Sequence, residues 1–96
     1  MATYFLFGKY TQNSLKDASG KRTDKARKLI KECGGKLLDA YALLGEKDLV
    51  LITEFSSTKE AAQASIALTK LTGIGFATSE AIPVNEFDKL IKSSKR

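Results

Sequence analysis

Apolar positions along this chain alternate between short dense runs and a spacing of three and four, and the alternation sets out the elements in order. Thr3 to Tyr10 predicts a first strand. One of its faces carries Thr3, Phe5, Phe7 and Lys9, and the other Tyr4, Leu6, Gly8 and Tyr10. Both faces are largely apolar, so the strand is expected to be covered on both sides. Thr11 to Ser14 reads as a polar connection. From Leu15 to Cys33 the spacing turns helical, with Ala26, Leu29, Ile30 and Cys33 in one stripe while Lys25, Arg27, Lys28 and Lys31 point elsewhere. Gly20 weakens the early part, and either Ser19 or Thr23 could cap the well-formed portion. Gly34-Gly35 ends it, because glycine takes left-handed geometry at little cost.

Lys36 to Leu44 predicts a second strand, with Leu38, Ala40, Ala42 and Leu44 on one face and Leu37, Asp39, Tyr41 and Leu43 on the other. The turn Gly45-Glu46-Lys47-Asp48 makes it one arm of a β-hairpin whose other arm is Asp48 to Phe55. In that third strand Leu49, Leu51, Thr53 and Phe55 oppose Val50, Ile52 and Glu54, again mostly apolar on both sides. Ser57 opens a second helix, with Glu60 placed for a capping box and Ala61, Ala64, Leu68 and Leu71 as the inner stripe. Gly73 and Gly75 release the chain into a fourth strand, Phe76 to Ile82, poor in large apolar residues as an edge strand would be. After Pro83, Val84 to Ile91 reads as a short final helix anchored by Phe87, Leu90 and Ile91. A single domain over 1–92 with a basic tail over 93–96 accounts for the chain.

The order β-α-β-β-α-β predicts an α+β fold: a ferredoxin-like sandwich with a short C-terminal helix, its four-stranded antiparallel sheet carrying two helices on one face. With right-handed crossovers, strands one and three are central and strands two and four are edges. Both helices then lie on one face, and the other apolar face is left bare. Tyr4, Leu6 and Tyr10 would line it, or alternatively Phe5 and Phe7. A bare apolar patch of several hundred Å² is rare in a monomer. Hiding ~600 Å² of it is worth roughly 15 kcal/mol before association costs. The same face of a second copy is the simplest cover, giving a homodimer or higher homo-oligomer; the final helix is a competing cover.

Composition narrows the chemistry. Sixteen Lys and Arg against eleven Asp and Glu give a net charge of +5, concentrated in Lys16 to Lys31 and Lys89 to Arg96. Solvated helix faces and a loose terminus account for that charge without a polyanionic partner. The chain has no His, which removes a His base, a serine-type triad and an ordinary zinc site. Its single Cys, Cys33, allows neither an intrachain disulfide nor a Cys metal cluster, and its place on a helix's apolar face reads as a buried thiol. No cofactor and no metal are expected. No run approaches the ~20 apolar residues of a membrane span, and the start lacks a signal-peptide pattern, so a cytoplasmic location is expected and a membrane partner is not.

Thr3-Tyr4, Gly8-Lys9-Tyr10, Leu15-Lys16-Asp17 with Arg22 close behind, Gly34-Gly35-Lys36-Leu37, Leu44-Gly45-Glu46-Lys47-Asp48 and Ile82-Pro83-Val84-Asn85-Glu86-Phe87, taken in order and spacing, resemble the GYD-domain family through most of the chain. The resemblance implies a ferredoxin-like domain related in shape to the dimeric α+β barrels. It implies no particular reaction. The Gly-Tyr-Asp signature that names the family is represented by Gly45 and Asp48, with Lys47 where an aromatic would stand, so a role that needs that tyrosine does not carry over.

Seven residues are candidates for ligand binding: Lys9, Tyr10, Asp17, Arg22, Tyr41, Asp48 and Glu54. Asp48, after the turn, could act as acid, base or hydrogen-bond acceptor, or cap the turn through backbone N–H groups. Glu54 lies about 20 Å along the same strand, too far for a carboxylate pair; it needs Lys9 or Lys36 as partner, or water at the sheet's end. Tyr10, Tyr41 and Tyr4 suit a pocket or a dimer seam equally. Asp17 and Arg22 suit an anion site at the helix start, or a local ion pair. No catalytic residue is assigned. Three functions compete. The first is a small-molecule-binding or sensing module that oligomerises through its β-sheet. The second is a cofactor-independent enzyme of the dimeric α+β barrel type, a monooxygenase or isomerase, by analogy of fold alone. RNA binding ranks last, because Asp48 to Phe55 lacks the basic-Gly-aromatic pattern of stacking platforms. Whether the protein is an enzyme is left open.

Overall fold

A computed structural model describes residues 1–16 and 19–93. The elements are β1 (Ala2–Lys9), α1 (Gln12–Lys16), α2 (Gly20–Glu32), β2 (Lys36–Ala42), β3 (Leu49–Phe55), α3 (Thr58–Thr72), β4 (Gly75–Ala81) and α4 (Val84–Ser93). The four strands form one antiparallel sheet in the order β2-β3-β1-β4, with α2 and α3 on a single face. This is the ferredoxin-like arrangement expected from the order of the elements.

Strand register assigns each side chain to a face. Towards the helices, cross-strand rows run Ala42–Leu49–Gly8–Phe76, Ala40–Leu51–Leu6–Thr78 and Leu37–Thr53–Tyr4–Glu80. Tyr4, Leu6, Leu51 and Phe55 bury themselves here against Ile30 of α2 and Ala61, Ala64 and Leu68 of α3. The alanines let α3 lie close to the sheet, so a small core still closes. The Tyr4 and Phe55 rings meet edge to face, 6.0 Å between centroids. Thr53 is the polar member of this core, and its hydroxyl donates to the Tyr4 carbonyl at 2.9 Å, so burial leaves it satisfied.

Local signals set the boundaries. Ser19 caps α2 and accepts from the Arg22 N–H. Ser57 caps α3, accepting from the Glu60 N–H while its own hydroxyl donates to the Glu60 carboxylate. At the end of α2 the Gly34 N–H reaches the Lys31 carbonyl and the Gly35 N–H the Ile30 carbonyl, a Schellman closure with Gly34 at φ +85°.

Two details differ from the sequence expectation. The stretch expected as a polar connection, Thr11 to Ser14, is largely taken up by the short helix α1, and the helix expected from Leu15 to Cys33 is found as α2 after Ser19, with residues 17–18 outside the described set. In β2, a β-bulge at Leu38 breaks simple alternation, so Leu37 pairs with Thr53 while Asp39 already pairs with Ile52. Leu37 thereby joins Ala40 and Ala42 on the helix face, which strict alternation would have forbidden. The expected basic tail begins at the last residue of α4, and residues 94–96 lie outside the described set.

The final helix does not fold back. No residue of α4 is buried, and it packs substantially on no other element. The radius of gyration is 14.8 Å and the long axis 51 Å, whereas a compact domain of this length has a radius near 12.5 Å.

Candidate functional site

Two surfaces of the protomer stand out. The first is the sheet face opposite the helices, where three rows cross: Tyr41–Val50–Phe7–Ala77, Asp39–Ile52–Phe5–Ser79 and Lys36–Glu54–Thr3–Ala81. The first two rows are apolar at their centres. Val50 is 7% exposed because Phe7 and Tyr41 flank it in register. Phe5 and Phe7 lie 6.2 Å apart and are only half-buried, as is Ile52. Among the described residues, no element packs substantially over them. Of the two faces weighed above as the bare one, this is the Phe5 and Phe7 face.

The second surface is a cleft between the helices and the sheet, at the end of β1. It encloses a cavity of about 80 Å³ with a mainly apolar lining that includes Leu37, Leu49, Leu51, Leu68, Ile74 and Phe76. Gly8 lets two of these side chains close on β1, since a Cβ there would stand 2.9 Å from the Phe76 ring and 3.0 Å from Ile74. Its polar rim is Tyr10, Arg22, Thr23 and Thr72. The Arg22 guanidinium donates to the Ser14 carbonyl and sits 5.8 Å from the Tyr10 ring centroid. That stacking holds the charge at the mouth of the cleft.

The candidate residues separate into groups. Tyr10, Arg22 and Asp48 converge at the end of β1. The Tyr10 N–H donates to Asp48 Oδ2 at 2.9 Å, and the Asp48 N–H donates to the Gly8 carbonyl at 3.0 Å. Asp48 thus ties the hairpin to the last residues of β1, and it lines a shallow groove with Tyr10, Thr11 and Leu15. Lys9 reaches the turn, where its ammonium donates to the Glu46 carbonyl at 3.3 Å. Tyr41 is half exposed on the edge strand, its hydroxyl donating to Asp39 at 3.2 Å. Glu54 sits directly across from Lys36 at the opposite end of the sheet. Asp17 lies outside the described residues. Thr23 and Thr72 were not among the candidates. Thr23 precedes the predicted helical stripe by one turn, a usable signal, whereas Thr72 enters only through the close of α3. Among the described residues no three of His, Cys, Asp or Glu gather as a metal site, and no helix is long and apolar enough to cross a membrane.

The hydrogen bonds of Asp48 carry a prediction. Asp48→Ala leaves the Tyr10 N–H without its acceptor and should cost about 1–2 kcal/mol in a urea titration. Asp48→Asn keeps an acceptor oxygen and should stay within about 0.5 kcal/mol of the parent. Equal losses for both would mean that charge, rather than the hydrogen bond, holds the hairpin to β1.

A four-stranded antiparallel sheet with helices on one face and a bare apolar second face places the domain in the α+β class related in shape to the dimeric α+β barrels. The GYD domain matches residues 4–91, and the chain belongs to that family. Among curated proteins, none matches the chain in sequence. Similar solved structures include the Mycobacterium tuberculosis leucine response regulatory protein LrpA, with a TM-score of 0.62 and 11% identity over 85% of this chain and 51% of that one. TTHA0845 from Thermus thermophilus is similar at a TM-score of 0.55 and 20% identity, over 86% of this chain and 95% of its own. Hypothetical protein PHS023 from Pyrococcus horikoshii is similar at a TM-score of 0.53 and 27% identity, over 86% of this chain and 92% of its own. The chain therefore spans about half the length of LrpA and nearly all of the other two.

Proposed function

We propose that this domain is a homo-oligomeric small-molecule-binding module, paired through its open sheet face and holding its ligand at the cleft under Tyr10 and Arg22. The observation that carries the reading is the apolar cleft with one cation at its rim. Among the described residues Arg22 is held by the Ser14 carbonyl and the Tyr10 ring, and a guanidinium has five N–H donors, more than that single bond uses. A carboxylate suits the planar fork of a guanidinium. The cavity of about 80 Å³ is small beside ordinary ligand pockets of ~300–1,000 Å³. It accepts a short apolar group, and the charged end stays at the mouth. The ligand class is accordingly a small carboxylate with a short aliphatic chain, amino acids included. LrpA, by its name, responds to leucine; at 11% identity it supports the fold of the module and not its ligand. Among the described residues the cleft lining includes no carboxylate, and no observation favours the enzyme reading. The open face carries Val50, Ile52 and Glu54 on β3 where an RNA binder would present aromatic platforms.

The test is a thermal-shift panel of short-chain carboxylates and amino acids on the wild-type protein, followed by calorimetry on any hit. Binding should weaken at least about tenfold in Arg22→Ala, the loss of a charged hydrogen bond. A panel without a single shift, or a hit indifferent to Arg22→Ala, would overturn the assignment of the cleft.

A further inference from the structure

The projecting helix α4 is the part of the molecule that neither the fold nor the cleft accounts for. Val84, Phe87, Leu90 and Ile91 fall within one arc of roughly 120° at 100° per residue, and Asn85, Glu86, Asp88, Lys89 and Lys92 occupy the rest. The four apolar residues are 50–73% exposed. The helix has ten residues, and helices shorter than ~12–15 residues are marginal in water without a surface to lie on. Among the described residues it lies on none in its own protomer: no residue of α4 is buried, and it packs substantially on no neighbouring element.

Area indicates the missing surface. Four strands about 4.8 Å apart, each seven residues long at ~3.3 Å, give the open face a footprint near 450 Å². Stacking two such faces hides about 900 Å², below the ~1,200–2,000 Å² of a stable specific interface. A ten-residue helix about 15 Å long and ~10 Å wide covers roughly 150 Å². Two arms, each burying itself and the surface beneath it, add about 600 Å² and bring the pair into that range. We infer that α4 is an exchanged arm: each protomer lays the stripe Val84, Phe87, Leu90 and Ile91 across its partner at the margin of the paired sheets. The inference rests on the sheet pairing proposed above. A second copy is the occupant because it is the one partner that brings a matching arm and a matching shortfall, as a twofold interface requires.

Sedimentation velocity and hydrogen exchange on the full chain test it. The double variant Phe87→Ser, Leu90→Ser changes only residues already exposed in the protomer, so the protomer should fold as before. Its dimer dissociation constant should rise at least about tenfold. In the wild type, exchange protection of the α4 amides should appear in step with the dimer fraction as concentration rises, and vanish in a monomeric Phe7→Asp variant. An unchanged dissociation constant in the double variant would overturn the arm. So would α4 amides protected in the monomer, which means the helix packs at home, or unprotected in the dimer, which means it serves another partner. A dimer that survives Phe7→Asp overturns the sheet pairing itself, a failure distinct from one that survives the arm substitutions.

Discussion

Gly35→Ala should melt roughly 12–24 °C below the parent chain, the equivalent of about 3 kcal/mol in a domain of this size. A Cβ built at Gly35 stands 2.2 Å from Phe55 Cε1, 2.5 Å from Phe55 Cδ1 and 2.8 Å from the Glu54 carbonyl oxygen. None of these can yield cheaply. Phe55 is fully buried and holds its edge-to-face contact with Tyr4, and the carbonyl belongs to a central strand. The Gly35 N–H also closes α2 on the Ile30 carbonyl at 2.9 Å, so a shift away from the ring would open the helix end. Gly34→Ala is the informative control. It meets only the carboxylate of Glu60, the far end of a flexible side chain, and its cost is the left-handed φ of +85°, about 1–2 kcal/mol. Differential scanning calorimetry on the two variants separates the effects. Adding Phe55→Leu should return part of the Gly35→Ala loss, because the two residues share one space. Equal melting temperatures for Gly34→Ala and Gly35→Ala would show that backbone geometry, and not the Phe55 ring, sets the requirement.

Phe7→Asp should raise the dimer dissociation constant at least about 100-fold, equivalent to ~2.7 kcal/mol, while leaving the protomer folded. Phe7 lies in the central apolar row of the open face, between Val50 and Ala77 in register. On an isolated protomer an aspartate there is at the surface and solvated. Between two stacked sheets it would be buried, and removing a charge from water costs several kcal/mol unless it is paired. A twofold interface doubles the penalty, because each substitution appears twice. Glu54→Gln, at the polar end of the same face beside Lys36 and Thr3, should change association by less than about threefold. Light scattering across a concentration series reads both variants. A Phe7→Asp protein that remains fully dimeric would show that the sheets are not the seam.

The fold was legible because its dominant constraint is local pattern. β1 and β3 carry apolar residues at both parities, and that alone makes them central and leaves one face uncovered. The hairpin at Gly45 and the Ser57–Glu60 cap were equally plain, each a short-range signal with a fixed backbone meaning. The bulge at Leu38 was not. Leu37 and Leu38 are both apolar, so nothing in the pattern marks the slipped register that pairs Leu37 with Thr53. The short α1 escaped for the opposite reason: Gln12 to Lys16 has no apolar stripe, and Ser14 is held by polar bonds to Thr11. At the cleft, Tyr10, Arg22 and Asp48 could each be singled out as chemistry-bearing side chains. Their meeting depends on pairing residues 38 apart in sequence, which no local window contains. Thr72 lines the same rim because α3 turns at Gly73, a placement set by packing.

The irregularity at Leu38 also bears on how the protein avoids growing without limit. A sheet with two free outer strands can recruit further chains along its backbone hydrogen bonds, one strand after another, which is the route to fibrils. An extra residue in β2 twists that margin and breaks the repeat of free N–H and C=O groups a newcomer would need, while Glu80 sets a charge on the other margin. Under the sheet pairing proposed above, contacts between copies would be channelled to the flat of the sheet, where a twofold arrangement is finished after a single addition.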